Sequence, residues 1–254
     1  MRIGFRFRLI PFIATVLMVA LGVALGQWQE RRVGEKTALA ARLAAGNAAA
    51  PVTLGDGDAA GAYAALAAGD LEWRRVRLHG EFVAHWPVYL DNRPYQGRAG
   101  FYLLMPFRLA GSGNHVLVAR GWLPRHAQQR DLLPPYGTPR GAVTLEGVVR
   151  RSAGRVMQLG SAAPLTAGAI VQNADAQQVA AASGLALAPY IVEQTQAANA
   201  DDNGLVRDWP APALGVDKHR GYAFQWYALA AMALLFFVVT GYRRGKHSKN
   251  EGGC

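Results

Sequence analysis

Cysteine is almost missing from this chain: a single one, Cys254, sits at the extreme end. No internal disulfide can therefore brace it, and no thiolate cluster can hold a metal. Catalytic signatures are missing too. There is no phosphate-binding glycine loop, dinucleotide fingerprint, nucleophile elbow or zinc-protease helix, and the expectation is that the protein is not an enzyme. Acidic residues are few, 17 against 27 Lys and Arg, for a formal charge of +10. Three of these charges come from Arg2, Arg6 and Arg8, and a net three from Arg243, Arg244, Lys246 and Lys249 against Glu251. Cations gathered beside apolar runs suit lipid headgroups, so nucleic acid is not an expected partner.

Two long apolar runs are present. Leu9 to Gly26 and Tyr222 to Thr240 carry no charge over 18 and 19 residues, close to the roughly 20 needed to cross a bilayer. The first competes with a secretory signal, because arginines precede it and Ala24-Leu25-Gly26 resembles a cleavage site. Its length, and the bulky Gln27-Trp28-Gln29 that follows, favour a retained anchor. Cations flanking the spans number seven on the tails and six on the loop side, which votes for both termini in the cytoplasm. The first span starts at residue 9, too early for a mitochondrial presequence, and a bacterial inner (plasma) membrane is expected. The layout expected is a cytoplasmic tail over 1–8, spans over 9–26 and 222–240, a periplasmic domain over 27–221, and a second cytoplasmic tail over 241–254.

The first helix is expected to run past Gly34 to about Ala45. Residues 48–69 read as a loose connection around a short helix at Ala59 to Ala68. From Leu71 the period changes to two, with Val76, Leu78, Phe82 and Ala84 on one face and Arg75, Arg77, His79 and Glu81 on the other. Further strands are expected at Val88 to Asp91, Gly100 to Leu109, His115 to Trp122, Ala142 to Arg151 and Tyr190 to Glu193. A helix over Ala174 to Ala182, capped by Asn173, should stop at Gly184. The fold class expected is an α+β membrane protein, in which two terminal transmembrane helices flank a mainly antiparallel β domain or partly closed barrel with a few short helices.

The entry to the second span carries Lys218, His219, Arg220, Tyr222 and Trp226. At about 100° per residue, His219, Tyr222 and Trp226 share a helix face. An imidazole followed by flat aromatic rings suits an axial ligand for haem iron, with Lys218 and Arg220 placed for propionates. An interfacial belt of aromatic and basic anchors reads the same way. Gln225 lies deeper and is expected to bond to the other helix, and Gly22 and Gly26 have the spacing that lets Ala223, Ala228, Ala230 or Ala231 approach closely. In the domain, Leu90 to Pro94 reads as a turn. Arg120 and Trp122 are candidates either for a docking surface or for the core. His79, His85, His115 and His126 show no ligand spacing.

Several segments together resemble one family. They are Gly26-Gln27-Trp28-Gln29 with Arg32 and Lys36, Val88 to Arg93 with Gly97 and Gly100, Val116 to Pro124, Val171-Gln172-Asn173, and Lys218 to Trp226. In this order they are similar to the Surfeit locus protein one family of cytochrome c oxidase assembly factors. The resemblance implies a non-enzymatic factor that binds haem a transiently and assists its insertion into the largest oxidase subunit. It carries a haem-iron ligand onto His219, with Tyr222, Trp226, Lys218 and Arg220 around the ring. The partners expected are that subunit, a haem a synthase and membrane lipid. The alternative is a scaffold that holds the immature subunit without touching haem, through Asn92, Arg93, Arg120 and Trp122.

Overall fold

The computed structural model describes residues 7–55, 59–126, 128–129, 132–158, 160, 164–211 and 215–250, without side chains at 59, 60 and 243–250. Cys254, Arg2 and Arg6 lie outside the described residues, as does Glu251. The chain forms two compact units, Met1–Ala41 with Pro212–Cys254, and Arg42–Ala211.

The first unit holds most of α1 (Leu9–Ala48) and all of α4 (Val216–Asn250). Each contains a stretch long and apolar enough to cross a membrane. Their large apolar side chains point outward: Ile10, Leu17, Met18, Leu235 and Phe236 are all exposed. Such a surface is costly in water and natural in lipid. At Gly22 and Gly26 the space between the helices leaves no room for a side chain. A Cβ added to Gly22 would stand 3.0 Å from both the Ala230 Cβ and the Trp226 carbonyl, and one added to Gly26 would overlap the Tyr227 ring. Ala223 and Ala230 are buried in this seam, Ala228 is half-buried and Ala231 exposed. Gly34 does not interrupt α1.

The second unit contains β1 (Val52–Leu54), α2 (Ala59–Ala68), β2 (Arg75–Phe82), β3 (Val88–Leu90), β4 (Gly100–Leu109), β5 (His115–Pro124), β6 (Val143–Arg150), β7 (Ile170–Val171), α3 (Ala176–Ser183) and β8 (Leu187–Gln194). One sheet runs in the order β1-β2-β6-β8-β5-β4-β3-β7, and a further β2–β4 pairing closes five of its strands into a ring. Most pairings are antiparallel, while β1–β2, β3–β7 and β5–β8 are parallel. Val76, Leu78 and Phe82 of β2 pack with Leu103, Met105, Phe107, Val116, Val118 and Val192 in one cluster. A second cluster joins Leu90, Leu104, Leu117, Ala119 and Ile191 to Ala176 and Val179 of α3. Because β5 is covered on both faces, it reads as a nearly continuous apolar run rather than an alternation.

Three local expectations are corrected. Residues 52–54 form a parallel edge strand instead of loose connection, and β2 ends at Phe82, leaving Ala84 exposed. The cap of α3 is Asp175, not Asn173: its carboxylate accepts from the Gln178 amide at 2.8 Å while the Gln178 side chain accepts from the Asp175 amide at 3.0 Å. This capping box satisfies two otherwise orphaned donors. Asn173 is engaged elsewhere, bonded through both amide atoms to the Val156 backbone.

Candidate functional site

His219 is the fourth residue of α4 and is half-buried. Its Nδ1 lies 2.8 Å from Oε1 of Gln29, which is 8% exposed on α1. With that carbonyl oxygen accepting, Nδ1 carries the proton and Nε2 keeps its lone pair, the form in which imidazole ligates a metal. Gln29 makes the interhelical amide contact that the sequence suggested for Gln225, and Gln225 is instead exposed. In the sequence Gln29 stands only as the end of the Gly26–Gln29 segment, just beyond an apolar span, and nothing there points to His219. Its partner emerges only when the glycine seam sets the helix register.

The other residues of this cluster are placed differently. Trp226 is half-buried and Tyr222 is 52% exposed, so the two do not stand equally against the seam. Lys218 and Arg220 are exposed, and Arg220 leans toward Asp217 at 3.9 Å. On the Arg220 side, a groove of about 390 Å³ opens between Glu30 and Val33 of α1 and Arg220, Ala223, Phe224 and Tyr227 of α4. Phe224 is 75% exposed there. The donor set fits a haem group in kind: an imidazole with one nitrogen bonded to Gln29 and the other without a partner among the described residues, flanking cations and exposed aromatic rings.

The docking candidates of the domain are mostly interior. Arg120 is fully buried. It sits where β4 and β5 shift register: Leu103 pairs with Gly121 and Leu104 with Ala119, so Arg120 is the extra residue of a bulge. The bulge reverses the alternation, so that Leu123 rather than Trp122 joins the cluster containing Val116 and Val118. The Arg120 guanidinium donates to Asp202 Oδ1 at 2.6 Å, Gly137 O at 2.7 Å and Thr138 Oγ1 at 2.6 Å, above the ring of Phe82. Asp202, also fully enclosed, further accepts from Arg207, Gln194 and the Ala198 amide. Burial pulls the affinity of Arg120 and Arg207 for their protons down, and the Asp202 carboxylate pulls it back up.

Trp122 is 4% exposed, with its indole N–H on Arg93 O at 2.7 Å and its backbone paired to Val206. A Cβ on Gly121 would meet Leu205 and Val206 at 2.9 Å, so glycine lets that segment close over the strand. Arg93 is equally buried, and its guanidinium donates to Gly154 O and Gln172 O. With Leu90 beside Val171 in the β3–β7 pairing, two of the segments singled out in the sequence are brought together. Of the two readings open for Arg120 and Trp122, burial selects the core, and Arg93, the remaining candidate for docking through its side chain, is interior as well. Asn92 alone is exposed, in a left-handed turn at φ 60°.

The family expectation rests on more than these motifs. A SURF1-like protein of Monosiga brevicollis is 26% identical over 242 residues, which are 88% of this chain and 85% of that protein. Another from Rickettsia bellii is 26% identical over 250 residues, 95% of this chain and 91% of that one. The cytochrome oxidase assembly protein SHY1 of Saccharomyces cerevisiae is 30% identical over 106 residues, 42% of this chain but only 26% of the yeast protein. The model of the SURF1 family matches residues 16–231, and the chain belongs to that family.

Proposed function

We propose that this protein assists the assembly of cytochrome c oxidase in a bacterial inner membrane, holding haem a on His219 while the haem is inserted into the largest oxidase subunit. Both tails lie in the cytoplasm, the spans cover 9–26 and 222–240, and the domain over 27–221 lies in the periplasm. The role in oxidase assembly is supported by family membership and by the yeast relative, which is named for that task. The observation that carries the haem reading is the Gln29–His219 contact, which leaves one imidazole nitrogen without a partner among the described residues, beside exposed cations and aromatic rings.

Bound haem a supplies an iron centre that accepts an imidazole nitrogen and propionates that attract cations. His219 provides that nitrogen, Lys218 and Arg220 meet the propionates, and Tyr222 and Trp226 offer flat apolar contact. One protein ligand holds the group without enclosing it, which allows transfer to a subunit with a more complete site. No covalent change is assigned to this chain. A haem a synthase is the partner that supplies the group.

The test is the absorption spectrum of the protein purified from cells that make haem a. Haem a in the wild type and its loss from His219→Ala, with membrane insertion intact, is the expected result. A colourless wild type despite haem supply would refute ligation and favour a scaffold. That scaffold would need a surface other than Arg93, Arg120 and Trp122.

A further inference from the structure

Gly22, Gly26 and Gln29 follow one another along a single face of α1, at spacings of four and three residues, and they meet Ala230 with the Trp226 carbonyl, the Tyr227 ring, and His219 in turn, so that the outer two contacts run in reverse order along α4. The two glycines bring the backbones together. Without that approach the short amide side chain of Gln29 could not span the gap at the end of the seam. Gln29 is buried, and its carbonyl oxygen sits 2.8 Å from Nδ1. A buried acceptor held by a tight seam imposes both the proton position and the ring orientation on a histidine that is itself only half-buried.

We propose that Gln29 is the positioning residue for His219, fixing the Nδ1–H tautomer so that Nε2 is the nitrogen offered to a ligand. The consequence for haem rests on the function proposed above, whereas the hold on the imidazole does not. A neutral amide, unlike a carboxylate, orients the ring without giving it imidazolate character, so the metal bond it supports is weaker. That suits a ligand that must be released.

The experiment uses the full chain, free of haem, in detergent micelles with 15N-labelled histidine, at a pH of about 8.5 where an ordinary imidazole is neutral. The 15N shifts of His219 should report the proton on Nδ1 in the wild type, and loss of that bias in Gln29→Leu. Gln29→Glu, which keeps an acceptor in place, should retain the tautomer and serves as the control for a Gln29→Leu chain that folds poorly. With ferric haem a added, Gln29→Leu should bind about 10- to 100-fold more weakly, and Gln29→Glu should bind with a lower reduction potential. A wild-type proton on Nε2, or a tautomer indifferent to Gln29→Leu, would overturn the proposal. The expected tautomer in a wild-type protein that takes up no haem would support the role of Gln29 and defeat the haem reading alone.

Discussion

Asp202→Asn removes one charge from the interior of the second unit while leaving its volume unchanged. Asp202 Oδ1 accepts from Arg120 and Arg207, and Oδ2 from Gln194 Nε2 and the Ala198 amide. The new amide can keep its oxygen toward the two guanidiniums, but its NH2 then faces two donors. Arg120 and Arg207 lose the carboxylate that pairs with both, the only one either has among the described residues. Breaking a buried ion pair in this way costs about 3–5 kcal/mol, against a total of roughly 5–15 for a typical domain. Arg207→Ala should cost less, because Asp202 retains Arg120 and the side chain of Arg207 is 10% exposed. Urea unfolding of the full chain in micelles, followed by tryptophan fluorescence, measures both. A double-mutant cycle on Arg120 and Asp202 isolates their coupling. A loss below about 1 kcal/mol for Asp202→Asn, the range of exposed pairs, would refute the claim that the charge is desolvated and fully employed.

Two further outcomes are expected. Gly22→Leu or Gly26→Leu should force the helices apart, at about 1–3 kcal/mol for overpacking, lowering the melting temperature in detergent and erasing the tautomer bias of His219; a stable variant that keeps the bias would refute the seam. Burial raises the Glu193 carboxyl to about 7, only partly opposed by Arg150 at 3.6 Å, with Tyr102 facing it as well. Because the folded form holds this proton more tightly than the unfolded one, the contribution to stability is full below a pH of about 4.5 and is lost as pH rises through about 7, some 3 kcal/mol in all. Glu193→Gln should therefore stabilise the chain at pH 8 and change little at pH 4.5; equal urea midpoints of the two proteins at pH 8 would count against it.

Much of the architecture was legible because the signals are local. Alternation marked β2, and continuous apolar runs between turns marked β4 and β5. The two apolar runs fall within the two long helices. The strands missed, β1 and β7, are two or three residues long and pair in parallel with segments far along the chain, so neither has a hairpin or a period to betray it. The bulge at Arg120 was equally invisible, since an extra residue in a strand shows only against its neighbour. That single insertion decides the side on which Trp122 packs, while the cover on both faces of β5 makes the arginine and the tryptophan interior groups.

Arg120 and His219 show why a fully enclosed polar group must be separated from a half-buried one. All four Nη hydrogens of Arg120 have acceptors in Thr138, Gly137, Asp202 and the Met105 sulfur, and both oxygens of Asp202 accept twice. Arg120 Nε, Arg207 Nε and Gln194 Oε1 make no bond among the described residues, but they are enclosed with the rest of the network, which holds residues 194–207 against the strands. His219 has one nitrogen engaged by a buried amide and a second that makes no bond among the described residues. Both residues stand in segments that the family resemblance singles out, and sequence cannot rank them. Burial does: a guanidinium fully enclosed with its carboxylate stabilises the fold, and a half-buried imidazole oriented through one nitrogen can bind through the other.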